Sequence, residues 1–420
     1  MTSEALAVPS PTERDEQPSL YQLLDPAVLA DPYPLYRRLR ERDPVAWDPF
    51  LHAWVVTSYS GVLDVLHKFS AQRTPTPEQL AAMDLSALEP VAQVMVRQML
   101  FMDAPAHTRL RGLCSSAFTS RRVDHLRPHI QDIANGLIDR VAPSGRMDVI
   151  ADFANPLPAI VTAELLGVPT SDHQQLKAWS ADFAEMLGNF QHNPDRVSRV
   201  VRSLADMIAY FRAAVRQQQA SPRQGLIRLL LDACEGDSRL SEEEVIANVI
   251  VTMVGGQETT TNLIASGLLT LIRNPAALAW LRDDPTVTES AVEELLRYES
   301  PSQHTARLAP DDLVLGGKRI RKRDAVMAVM AAANRDPARF ADPDRLDLGR
   351  RNNRHVAFGW AAHFCFGAPL ARIEGQVAFP TLLRRLTGLA LAPGPLVWRA
   401  NLGLRGLTAL PVTFRPTGKP

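Results

Sequence analysis

Phe358-Gly359-Trp360-Ala361-Ala362-His363-Phe364-Cys365-Phe366-Gly367-Ala368-Pro369-Leu370-Ala371-Arg372 decides how this chain is read. Cys365 closes a loop, and a helical pattern runs from about Gly367 to Leu386. The amides and dipole of a helix N-terminus favour a thiolate over a thiol. A thiolate held there is a candidate metal ligand; the alternative is a small buried hydrophobe. Zinc is disfavoured, because no second cysteine stands at ligand spacing.

Working outward, the chain has 420 residues, 46% apolar and 22% charged, which excludes a disordered chain or a coiled-coil rod. Lys+Arg and Asp+Glu are both 46, so the charge is balanced and nucleic-acid binding starts weak. The three cysteines, Cys114, Cys234 and Cys365, argue against a disulfide framework and for a reducing, cytoplasmic location. No apolar run reaches the roughly 18 residues that span a bilayer, so no membrane is expected. Residues 1–20 carry Glu4, Glu13, Asp15 and Glu16 and read as a disordered lead; 21–420 reads as one domain, expected to be a monomer.

Helical periodicity dominates, giving a mainly α (α+β) protein. Helices are expected at 31–42 and 60–69 and repeatedly over 105–235, with strands at 45–57. Residues 72–90, with Thr-Pro-Thr-Pro at 74–77, read as a loop. Ser241 with Glu244 forms a capping box that opens a helix running to about Ile272. Asn274-Pro275 stops it and starts another, and Thr286 with Glu289 forms a second box. Strands are expected at 304–309, 313–315, 318–320 and 325–331, with weak strands at the end.

Three further constellations stand out. Gly255-Gly256-Gln257-Glu258-Thr259-Thr260 puts two glycines inside the long helix, each costing about 1 kcal/mol against alanine. Close helix packing explains such glycines as well as a site does. Gly255 and Thr259 share one helix face. Glu294-Leu295-Leu296-Arg297 faces two charges at i, i+3, alone no more than a surface ion pair. His107-Thr108-Arg109-Leu110-Arg111 places His107 and Arg111 at i, i+4, so both can meet one anion; a solvated basic face is the alternative.

The order 358–372 resembles the cytochrome P-450 signature F-G-x-G-x-H-x-C-x-G-x-x-L-A-R, departing from it only at Ala361, where the family carries glycine. The other three motifs stand in family order, and the likeness covers about residues 25 to 415. It implies a triangular fold with haem b (iron protoporphyrin IX) between the long helix and the cysteine helix, and Cys365 as axial iron ligand. Phe358, Gly359 and Gly367 belong to the same haem loop. Gly255-Gly256 would form the oxygen groove, where the family's helix is locally distorted, and Glu258 and Thr259 would deliver protons. His107, Arg111, Arg307 and His355 would bind the propionates. Glu294, Arg297 and Arg345 would form a structural cluster.

The implied reaction is monooxygenation with O2: hydroxylation or epoxidation of an apolar or mixed organic substrate, in the manner of secondary metabolism. Oxidative coupling, peroxide-driven chemistry or a non-catalytic haem sensor are the alternatives. Electrons would come from a separate ferredoxin or flavodoxin with its reductase, docking on arginines at 109–127 and 350–354. Val251, Gly255, Ser302, Gln303 and His304 are the expected substrate wall, with His304 as a polar wall residue. Ala361 implies either a negative φ at that position or slack beside the haem.

Overall fold

A computed structural model of the chain describes residues 18–115, 123–187, 194–235 and 238–416. Ser241 opens the helix Glu242–Arg273 as the sequence predicts: its hydroxyl accepts from Glu244 N–H, and the Glu244 carboxylate accepts from Ser241 N–H. Glu242, Glu243 and Glu244 in the first turn oppose the helix dipole. At about 1.5 Å per residue the helix is about 48 Å long. Most of its residues from Val245 to Leu271 are buried, because Pro156–Leu166, His173–Ala184, Pro194–Ala220, Thr288–Tyr298 and Ala368–Arg385 pack around it. No single described helix is long and apolar enough to cross a membrane.

Strands are few and set to one side. Val45–Asp48 and Ala53–Val56 form a hairpin; Ala325–Ala328 joins it in parallel, and Thr305–Leu308 closes the sheet in antiparallel. This sheet fixes Arg307, which faces Val326 in the ladder. A second sheet orders Leu386–Leu391, Pro411–Pro416 and Arg146–Asp148.

Four expectations are corrected. The lead at 1–20 lies outside the described residues as far as 17, but Ser19 and Leu20 are folded: Ser19 donates to Asp48 Oδ2 at 2.7 Å and Leu20 is buried. Within 72–90 a helix, Pro77–Ala82, forms because Thr76 and Gln79 make a capping box and Pro77 takes the first position. The residues that suggested a loop are a helix start. Thr286 does not cap Thr288–Tyr298; Asp284 caps the short turn before it, accepting from Thr286 N–H. The strand expected at 325–331 ends at Ala328, and Met330–Ala333 is helical.

Candidate active site

A cavity of about 550 Å³ lies between the long helix and the cysteine loop. Cys365, Phe358, Gly359 and Gly367 line it on one side, and Val251, Gly255, Gly256 and Thr259 on the other. Leu66, Met95, Leu165, Leu187 and Leu404 make much of the remaining wall apolar.

Cys365 N–H donates to Phe358 O at 2.8 Å, which closes the loop on itself. Burial pushes the thiol up; the Gly367 and Ala368 amides and the Arg111 and Arg372 guanidiniums pull it down but do not win. A bare thiolate is therefore disfavoured there, and a bound cation reverses that balance. Gly359 has φ +72° and Ala361 φ +57°. The negative φ at Ala361 is thus excluded: alanine holds a left-handed position.

The long helix stays α-helical through the Gly255–Thr260 stretch, and within it Thr259 Oγ1 donates to Gly255 O at 2.7 Å. The two glycines differ. A Cβ on Gly255 would meet nothing within 4 Å, whereas one on Gly256 would press within 3.1 Å of Thr162 Oγ1. Gly256 is a packing glycine that also borders the cavity; Gly255 leaves it open.

Glu258 turns away from the cavity and is fully buried. Lys177 Nζ pairs with its Oε1, and Arg399 Nη1 lies 2.6 Å from its Oε2. Burial raises its pKa, but these two cations outweigh that and hold the carboxyl below its ordinary value. Both cations keep a little solvent contact, whereas Glu258 has none.

The anion corner departs from expectation. Arg307 lines the cavity, and its Nε, like His107 Nε2, is buried without a hydrogen-bond partner among the described residues. The His107 and His363 rings meet at a tilt of 39°, centroids 4.1 Å apart. Arg111 instead donates to Phe364 O at 2.5 Å, beneath the cysteine loop. His355 is turned out of the corner: its Nε2 lies 3.2 Å from Glu293 Oε2 and its Nδ1 accepts from Ala357 N–H. Burial raises Glu293, but His355 and the Arg372 fork more than reverse this and bring it to about 2. Arg73 and His363 line the cavity where Arg111 and His355 were expected. His363 was legible from its place in the signature; no periodicity marks Arg73.

In the structural cluster Glu294 and Arg297 are fully buried and bonded through both forks at 2.8 Å. The third partner is Arg350, whose Nε lies 3.1 Å from Glu294 Oε2. Arg345 is a correction: its side chain is 66% exposed and pairs with Asp347, and only its carbonyl meets Arg297. Gln303 is another. Tyr36 OH donates to its Oε1, it donates to Ser300 O, and it does not line the cavity. Val251, Ser302 and His304 do line it. Burial pulls His304 down to about 4, so it is neutral at pH 7. Of the docking arginines, Arg109 pairs with Glu244, Arg127 meets Gln376 and Arg350 meets Glu294; Arg354 is exposed, and Arg121 and Arg122 lie outside the described residues.

The donor set fits a haem: one sulfur against the cavity, two buried orphan N–H or ring nitrogens at its edge, and apolar walls. The family model described as cytochrome P450 matches residues 83–391. The biotin biosynthesis cytochrome P450 of Bacillus subtilis is 38% identical, covering 92% of this chain and 97% of that protein. The cytochrome P450 monooxygenase PikC of Streptomyces venezuelae is 39% identical, covering 92% of each. The crystal structure of P450BioI with an acyl carrier protein ligated to hexadec-9Z-enoic acid superposes with a TM-score of 0.87, at 37% identity over 93% of this chain and 99% of that one.

Proposed function

The chain belongs to the cytochrome P450 family of haem b oxidoreductases, and from that premise we propose that it places one oxygen atom of O2 into a mostly apolar organic substrate of secondary metabolism, by hydroxylation or epoxidation. The observation that carries this reading is that Cys365 and Thr259 border one apolar cavity from opposite sides. Haem b, when bound, supplies the redox-active iron that activates dioxygen.

The chain's own residues do the rest. Cys365 would hold the haem iron through its sulfur, and Arg307 and His107 would offer charge and ring nitrogen to its propionates. Thr259 spends its own proton on Gly255 O, so its oxygen is an acceptor toward the cavity. Glu258, held ionised by Lys177 and Arg399, passes protons inward from the surface. Leu165, Leu187 and Val251 exclude water and hold apolar carbon. Neutral His304 and Ser302 offer polar contact to a substrate oxygen or nitrogen. Electrons come from a separate ferredoxin or flavodoxin with its reductase, and the sparse cysteines support a cytoplasmic setting.

The test has two stages. The reduced, carbon monoxide-bound protein should show the red-shifted Soret band of a thiolate-ligated haem, and Cys365→Ser should lose it. Compounds that shift the haem spin state should then be converted to products heavier by one oxygen. The acyl chain carried by the protein bound to P450BioI makes long acyl chains, free and carrier-linked, the first to screen. A spin-shifting compound consumed with no oxygen gained would overturn the monooxygenase assignment.

A further inference from the structure

Arg73 belongs to none of the motifs, yet it lines the cavity beside Arg307. Its burial pulls the guanidinium down to about 9, and the Arg307 charge adds to that; Asp103 alone opposes it. Burial likewise brings Arg307 to about 10, again with Asp103 as the opposing charge. His363 lines the cavity with both arginines, and its ring centroid lies 4.1 Å from that of His107, which places all four groups in one corner. Asp103 is already engaged, accepting from Ser70 Oγ at 2.6 Å and Ala71 N–H at 2.9 Å. Two desolvated guanidiniums thus face one occupied carboxylate. Buried charge of one sign calls for partners of the other, and the corner still lacks negative charge that an added carboxylate would supply.

The same guanidinium has a second set of contacts. Arg73 Nη1 donates to Ala71 O at 3.1 Å and to Leu100 O at 3.4 Å, and the group lies 4.4 Å over the Phe101 ring. Ala71 and Leu100 are the two ends of the segment that carries the helices Pro77–Ala82 and Glu89–Met95 and supplies Met95 and Leu100 to the cavity wall, with Phe101 just after it.

We infer that Arg73 is a haem-propionate ligand that also clasps the two ends of the 72–100 wall, so that holding the cofactor closes the substrate side of the cavity. This rests on the haem reading above. That reading fails if the carbon monoxide band is absent, whereas the clasp can fail with the band intact.

The test reconstitutes the parent and Arg73→Gln with haem b and with its dimethyl ester, whose propionates carry no charge. Haem transfer to apomyoglobin gives the dissociation rate, and hydrogen exchange across 74–98 reports the wall. Arg73→Gln should lose haem b about tenfold faster and exchange faster across 74–98. With the dimethyl ester the difference in haem loss between the two proteins should vanish. Equal loss of haem b, or a difference that persists with the ester, overturns the ligand role. Parent-like haem retention with weakened dodecanoate binding overturns it in favour of a substrate carboxylate. Should Arg73→Gln not fold, the parent alone decides: the esterified cofactor should raise exchange across 74–98, and unchanged exchange overturns the clasp.

Discussion

Arg399 Nη1 reaches Glu258 Oε2 at 2.6 Å across 141 residues, joining the C-terminal loop to the middle of the long helix. Lys177 from the helix His173–Ala184 completes the pair of cations around this buried carboxylate. Arg399→Gln leaves Glu258 with Lys177 alone and its buried Oε2 without a charged donor, which should cost about 1–3 kcal/mol. It should also raise the Glu258 pKa and slow proton-dependent turnover most at low pH. Urea midpoints and the pH profile of turnover check both. An unchanged midpoint would show that Lys177 alone suffices.

Thr259→Ala tests the other half of the pair. The hydroxyl borders the cavity and, among the described residues, supports no other element: its one hydrogen bond there is to Gly255 O within its own helix. Haem content and substrate-induced spin shift should therefore stay within about twofold of the parent. Product formed per electron consumed should fall by at least about tenfold, with peroxide rising in its place. Preserved coupling would remove Thr259 from proton delivery.

Arg350 and Arg345 separate what motif spacing suggests from what the fold does. Arg350 shares Glu294 with Arg297 in a buried cluster, and Arg345 points into solvent. Arg350→Gln should destabilise by about 3–5 kcal/mol, and Arg345→Gln by less than about 0.5 kcal/mol. Thermal midpoints of the two variants decide it. Equal effects would mean that the cluster does not depend on its third guanidinium.

Local signals were legible where the chain itself holds the partners. The Ser241–Glu244 box, the glycine that opens the cavity at 255 and the Cys365 loop all depend on residues within a turn or two. Tertiary partners were not. Nothing near Glu258 announces Lys177 and Arg399, and nothing near Phe69 announces that Arg73 will sit beside Arg307. His355 and Gln303 carried the expected side chains, but Glu293 and Tyr36 took their polar atoms. Which of two nearby arginines meets Glu294 is settled by the turn at 342–350, not by spacing along the chain.

Glu374 gives the fold a pH dependence of its own. It lines the cavity from the cysteine helix; burial lifts its carboxyl to about 8, against a hydrogen bond from Thr260. A carboxyl raised in the folded state keeps its proton after the unfolded chain has lost it. Its contribution is therefore fully present below about 4.5 and is lost as pH rises toward 8, by up to about 1.4 kcal/mol per unit. Glu293 acts in the opposite window: depressed to about 2, it stabilises above about 4.5 and is lost as pH falls. Glu374→Gln should remove the alkaline loss and leave the acid limb intact. Denaturation midpoints at several pH values between 5 and 9 measure it, and parallel curves for parent and variant would show that Glu374 is ionised in the folded chain.

Ala361 holds φ +57° two residues after Gly359 at +72°, so the haem loop makes two left-handed steps and only one of them is glycine. A Cβ at such a step costs about 1–2 kcal/mol. Glycine there would relieve that cost but add freedom to the unfolded chain, worth about 0.4–1 kcal/mol. The balance favours glycine, so Ala361→Gly should stabilise by up to about 1 kcal/mol, a rise of about 1–2 °C in a chain of this size. Haem should be retained, because the Cys365 N–H bond to Phe358 O and the amides of Gly367 and Ala368 do not involve the Ala361 methyl. Thermal midpoint and haem content of the variant are the measurements. A lower midpoint or lost haem would show that the methyl packs against the cofactor pocket strongly enough to outweigh the strain of its backbone.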